Sequence, residues 1–235
     1  MKQNSKKIFE DSRETIEMYY TYLHLGYFYS QLSKHEDLSC KSKNIFINFD
    51  KSKYLLREDI IKSSLVDIYK KSQSPDVFSH LILNNFIRGI TMSLREALED
   101  EEIKKLFLEH IFRSNNNEEA YDTFHKVVRF IRNTFSHNIR DRIELREKDY
   151  KEQRDYLRKK EKSTLNFFFN YAKSPIPITR ENCTVKIDID FNQIKDGVVY
   201  IDIISEYQTL LFIELCYNCM EYLKDKWVEP SPNTA

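Results

Sequence analysis

Arg132, Asn133 and His137 are the residues of this chain whose types and spacing suit shared chemistry. They stand in the run Arg132-Asn133-Thr134-Phe135-Ser136-His137. An arginine presents a planar fork of donors that fits a phosphate and stabilises negative charge building up in a transition state. A histidine, with a reference pKa near ~6.5, takes or gives a proton at neutral pH. An asparagine beside them can orient the arginine, cap a neighbouring group or touch the phosphate. At helical pitch, five residues turn through about 140°, so Arg132 and His137 do not share one face of a regular helix. A kink, or a two-fold axis that brings in a second copy, would place both around one phosphate.

The element that must hold this run is a helix predicted over residues 118–138. Tyr121, Phe124, Val127, Val128, Ile131 and Phe135 make its apolar face. Similar periodicity predicts helices over 6–33 and 51–72, with a loop at 34–50 between them. Ser74-Pro75 reads as a cap followed by proline at the first position of another helix, which carries Val77, Leu81, Phe86, Ile90 and Leu94. A short helix to Phe112 and an asparagine-rich loop at 115–117 come before the 118–138 helix. Residues 140–162 hold ten basic and seven acidic side chains. Such a mixed run predicts a solvated, salt-bridged helix, with an RNA-facing arm as the sharper alternative. Phe167, Phe168 and Phe169 must return to a core or a partner. Val185, Ile187 and Ile189 alternate with charged residues, and Val199, Ile201 and Ile203 alternate after a Lys-Asp-Gly turn. These two runs predict a small β-hairpin over 183–203. A last helix is predicted over 204–226. The fold class expected is mainly α, a helical bundle with a small hairpin before the last helix. The 235 residues read as one domain, 1–235, with a charged insertion at about 140–165.

Composition narrows the function classes. Gly26, Gly89 and Gly197 are the only glycines, too few for glycine-rich phosphate loops. Formal net charge is zero, so any nucleic-acid binding must rest on local patches. No apolar run reaches the ~20 residues of a membrane span, and the start of the chain lacks the pattern of a signal peptide. The cytoplasm, with reduced thiols, is therefore the expected compartment. Cys216 and Cys219 stand three apart without a second ligand pair and read as buried thiols. His24, His35, His80, His110 and His125 offer no paired ligand spacing. No metal and no cofactor is expected. Asn84, Asn85 and Arg88 place polar groups in an apolar helix, read first as a satisfied polar contact and second as a lining of the cleft.

The run from Arg132 to His137 resembles the HEPN superfamily (higher eukaryotes and prokaryotes nucleotide-binding). Its ribonucleases carry an Arg, often a polar residue after it, and a His four to six positions on. Long helices before the motif and a long closing helix are similar as well. The resemblance implies that Arg132, Asn133 and His137 form a catalytic set, and that two copies meet across a two-fold axis as a homodimer with one composite cleft. It implies a metal-independent endoribonuclease in which the RNA's own 2′-hydroxyl attacks and leaves a 2′,3′-cyclic phosphate. Lys126, Arg129 and Arg140 are then candidate contacts to RNA. A toxin or phage-defence effector is the role such enzymes suggest, with a separate antitoxin or regulatory protein as partner. One toxin subgroup has Tyr two positions after the His, where this chain has Ile139. The alternative function is a non-catalytic helical module that binds a nucleotide or a protein.

Overall fold

The computed structural model describes the backbone of residues 2–33, 44–49, 52–57, 77–113, 117–137, 143–172 and 182–227. Within them it describes the side chains of residues 4–23, 84–113, 118–137, 143–171 and 183–227. The chain divides into two compact units, one of Met1–Tyr20 with Asn84–Ala235 and one of Thr21–Leu83. Helices α1 (Lys2–Ser33) and α2 (Val77–Leu98) contribute residues to both.

In the smaller unit, strands β1 (Asn44–Phe49) and β2 (Ser52–Arg57) pair antiparallel, with Phe49 opposite Ser52 and Asn44 opposite Arg57. This corrects two expectations, the loop over 34–50 and the start of a helix at 51. Ile45, Phe46, Ile47, Phe49 and Tyr54 favour a pleated chain, and only residues 50 and 51 separate the two runs. Leu55 and Leu56 fit a helical period and a strand equally well, so periodicity alone could not decide. The remainder of the expected helix to residue 72, and its neighbour's Ser74-Pro75 start, lie outside the described residues.

The larger unit is mostly helical. After α2 come α3 (Glu101–Leu106), a π-turn (Phe107–Ile111), α4 (Asn117–His137), α5 (Glu147–Lys159) and the closing helix α6 (Glu206–Lys224). Local signals fix several starts. Asp100 caps α3, its carboxylate accepting from the backbone N–H groups of Glu102 and Ile103 at 2.9 and 3.1 Å. Ser205 caps α6 by accepting from the Gln208 N–H at 3.2 Å.

Helix α4 is the centre of this core. Tyr121, Phe124, Val127, Val128, Phe130, Ile131 and Phe135 are all buried, and each such burial is worth roughly 1.5–3 kcal/mol. The Phe124 ring lies 5.5–5.8 Å from those of Phe107, Phe112, Phe167 and Phe212, joining the π-turn, a strand and α6. The Phe135 ring meets Tyr200 edge-on at 5.0 Å. Tyr121 donates its hydroxyl to the Leu98 carbonyl at 2.7 Å and so ties α4 to the end of α2.

The hairpin before α6 is present with a different partner from the one expected. Strand β4 (Asn182–Asp190) pairs antiparallel with β3 (Thr164–Ala172), not with residues 199–203. Leu165, Phe167 and Phe169 stand opposite Ile189, Ile187 and Val185. Nine residue pairs and an aromatic inner row give this pairing more to bury than the five residues of the second run. That second run makes one bridge, Val199 to Glu144, and then a 3₁₀ turn over Tyr200–Asp202. Its phase is also reversed: Tyr200 is buried, bonded to the Thr209 hydroxyl at 2.9 Å, while Ile201 is 56% exposed.

One core group is out of keeping with its surroundings. Glu214 on α6 is fully buried, and neither carboxylate oxygen has a partner among the described residues. Burial pushes its carboxyl up to about 7 from an ordinary 4.5. The folded chain therefore holds a proton between those values that the unfolded chain has lost, and stability falls as pH rises through that window. Glu214→Gln is expected to be more stable than the parent above pH 7 by roughly 1–3 kcal/mol, with the advantage shrinking towards pH 4.5. Urea unfolding at several pH values measures this; a Gln variant with a pH-independent or negative difference would contradict it.

Candidate active site

Helix α4 runs unbroken from Asn117 to His137, so no kink intervenes between Arg132 and His137. Its apolar side is used up in the core, which leaves Arg132 near Arg95 and Glu99 of α2 and His137 against Asp149 of α5.

Arg132 is half-buried. Its Nη1 donates to the Asn133 side-chain oxygen at 3.0 Å, so Asn133 orients the guanidinium. Its Nε is buried and has no hydrogen-bond partner among the described residues. Burial lowers the pKa of this guanidinium below its ordinary value, with Arg95 and Arg129 adding repulsion and Glu99 and Glu152 offsetting part of it. It stays charged at neutral pH, because the starting value is so high. A cation crowded by Arg95 and Arg129 is best completed by an anion.

Helix α2 supports the end of α4 from one side. Arg88 donates its Nε to the Phe135 carbonyl at 2.8 Å and its Nη1 to the Asn85 side-chain oxygen at 3.3 Å. The terminal carbonyls of a helix have no partner within the helix, and a cation placed on one satisfies both its lone pair and the helix dipole. The polar trio on α2 is thus brought to the motif through Arg88, while Asn84 is buried with an unpartnered amide nitrogen.

Helix α5 supports it from the other side and supplies the residue that sequence reasoning missed. The His137 Nδ1 lies 2.6 Å from Oδ1 of Asp149, a fully buried carboxylate. The other oxygen, Oδ2, accepts the Arg146 backbone N–H at 2.9 Å at the start of α5. Asp149 is the third residue of α5, within the charged run, where an acid at a helix start is ordinary, and nothing in its spacing points to His137. Gln153, one turn further along α5, is fully buried with both side-chain polar atoms unpartnered.

The flanking cations are committed elsewhere. Arg129 and Lys126 both approach Glu152 on α5, at 3.0 and 3.6 Å. Lys126 also lies over the Tyr156 ring, 4.3 Å from its centre, and burial lowers its pKa. Arg140 lies outside the described residues. His125 is partly buried: burial pushes it down to about 4, with Arg129 and Lys126 adding repulsion, so it is neutral at pH 7.

No family model, curated protein or solved structure matches this chain. The site is therefore read from its own geometry. Among the described residues no three His, Cys, Asp or Glu side chains converge as metal ligands would, and no helix is long and apolar enough to cross a membrane. Cys216 and Cys219 are buried thiols, and burial pushes Cys219 up to about 12.

The Arg88 contact makes a prediction about the motif's last turn. Hydrogen bonds from a charged donor contribute about 1.5–3 kcal/mol. Arg88→Met is therefore expected to speed amide exchange in residues 133–137 by roughly 10–100-fold, with protection elsewhere in α4 retained. Exchange at the parent rate in this turn would show that Arg88 does not hold it.

Proposed function

We propose that the chain is a metal-independent endoribonuclease of the HEPN type, working as a two-fold homodimer. The observation that carries this reading is the pairing of two differently prepared groups at one helix end. Arg132 is a crowded cation oriented by Asn133, and His137 is held through Nδ1 so that Nε2 is left for a substrate. In this reading His137 takes the proton from a ribose 2′-hydroxyl, and the freed oxygen attacks the adjacent phosphorus. Arg132 stabilises the charge gathering on the phosphate oxygens. The bond to the 5′-oxygen breaks, that oxygen receives a proton, and a 2′,3′-cyclic phosphate and a 5′-hydroxyl result. Asn133 keeps the guanidinium in place.

The unbroken helix supports the dimer. Without a kink, Arg132 and His137 point about 140° apart, and a second copy brings an arginine of one chain towards a histidine of the other. Met92, 42% exposed, lies on α2 between Arg88 and Arg95 and gives that approach an apolar contact. RNA is the substrate, and a cytoplasmic toxin or phage-defence effector restrained by a separate antitoxin or regulatory protein is the role that fits. The ion pairs of Lys126 and Arg129 make them secondary contacts to RNA rather than its main anchor.

Cleavage of total RNA in excess chelator, with end-group analysis, tests the reading. Activity is expected to persist in chelator and to leave cyclic phosphate ends. Arg132→Ala is expected to lose roughly 10²–10³-fold and loss of His137 about 10²–10⁴-fold, with Asn133→Ala milder. Arg132→Lys should restore little, since a point charge does not reproduce the planar fork. His137→Asn is the cleaner histidine variant, because its amide can take the place of Nδ1 and keep the bond to buried Asp149. A folded, dimeric His137→Asn protein that cuts at the parent rate would leave the binding-module reading in its place.

A further inference from the structure

The geometry points to Asp149 as the positioning residue that fixes which nitrogen of His137 carries the proton, and so makes Nε2 the proton acceptor. The inference rests on the ribonuclease reading for its consequence, but its chemistry stands on three bonds. Asp149 Oδ1 faces His137 Nδ1 at 2.6 Å, and Oδ2 accepts the Arg146 N–H at 2.9 Å. The Asp149 N–H in turn donates to the Arg146 carbonyl at 2.8 Å, which locks the side chain to its own helix start. The carboxylate is fully buried and an ionised carboxylate only accepts, so Nδ1 must be the donor. In the neutral ring this leaves Nε2 unprotonated, which is the form that can accept a proton from a 2′-hydroxyl. His137 itself is one-third exposed, so that nitrogen can be reached.

The Arg146 amide makes the arrangement one-sided. A backbone N–H can only donate. Replacing Asp149 by Asn gives one accepting and one donating end in nearly the same volume. The accepting oxygen is claimed by the Arg146 N–H, and the NH₂ end is turned to His137. Nδ1 must then accept, and the ring proton moves to Nε2. The isosteric change therefore inverts the tautomer without removing either bond, and a histidine with Nε2 already protonated cannot act as the base. Where an aspartate orients a catalytic histidine in this way, such a change costs up to about 10⁴-fold in rate with the geometry kept.

Two readouts test this together, ¹⁵N NMR of the imidazole nitrogens and RNA cleavage, in the full-length parent and Asp149→Asn. The His137 signals are identified by their loss in His137→Asn, and spectra are taken at a pH where the ring is neutral. The parent is expected to carry the proton on Nδ1 and the variant on Nε2. Cleavage at neutral pH should fall by about 10²–10⁴-fold, while circular dichroism and the unfolding midpoint stay near the parent's. A parent ring protonated on Nε2 would overturn the proposal without need of any variant, which covers the case in which Asp149→Asn fails to fold. A variant that keeps the proton on Nδ1, or one that changes tautomer and still cuts RNA at the parent rate, would overturn it as well. Should the parent cut no RNA at all, the ribonuclease reading fails, and the NMR result still decides the tautomer assignment separately.

Discussion

Everything at the candidate site follows from α4 being one unbroken helix with its apolar side committed to the core. Seven large side chains between Tyr121 and Phe135 are buried, and their loss to water would cost more than any single polar contact could recover. The rotation of the helix is thereby fixed. Arg132, Asn133 and His137 have no freedom to seek a better face. Arg132 is left near Arg95 and Glu99 of α2 and His137 against Asp149 of α5, and those two helices then decide what each can do.

The packing of α5 on α4 shows how the charged segment is used. The contacts run antiparallel along both helices. Asp149 meets His137, Glu152 meets Arg129 and Lys126, the Tyr156 hydroxyl donates to Asp122 at 3.0 Å, and Lys162 reaches Glu119 at 2.7 Å. Most of these pairs are partly or largely exposed, and exposed pairs contribute only about 0–1 kcal/mol each. The buried Leu157, beside Glu119 and Thr123 of α4, adds an apolar part. What the charges add is register, since a slip of one turn would set like charges against each other. Register matters here because only one register puts the buried carboxylate of Asp149 against His137. The segment forms the salt-bridged helix expected of it over Glu147–Lys159. One face of it is the wall of the site.

Much of this was legible in sequence. The 3.6-residue period is strongest over α4, which has one face that must be buried, while α6, buried all round from Leu211 to Tyr217, reads as a helix by its length and apolar content; the Arg-Asn-His run stands out by residue type alone. The hairpin of the smaller unit was not legible, since runs as short as Asn44–Phe49 and Ser52–Arg57 carry too few residues to separate a strand from a helix turn. The second hairpin was half legible. β4 alternates cleanly, but its partner β3 holds Phe167, Phe168 and Phe169 in succession, which hides the alternation. The structure resolves it, with Phe167 buried and Phe168 64% exposed. Asp149 was the hardest to see. Its role depends on a tertiary contact twelve residues away, in a run where acids and bases are too many for any one to stand out.

The central claim is that one cleft is built from two copies, an arginine of one acting with a histidine of the other. Subunit exchange tests it most directly. Arg132→Ala and His137→Ala proteins, each inactive alone, would be mixed, allowed to exchange, and assayed for RNA cleavage in chelator. The account predicts that the mixture regains activity, because the mixed dimer still holds one Arg132 and one His137 on opposite sides of the cleft. A mixture that forms mixed dimers and remains as inactive as its components would contradict it.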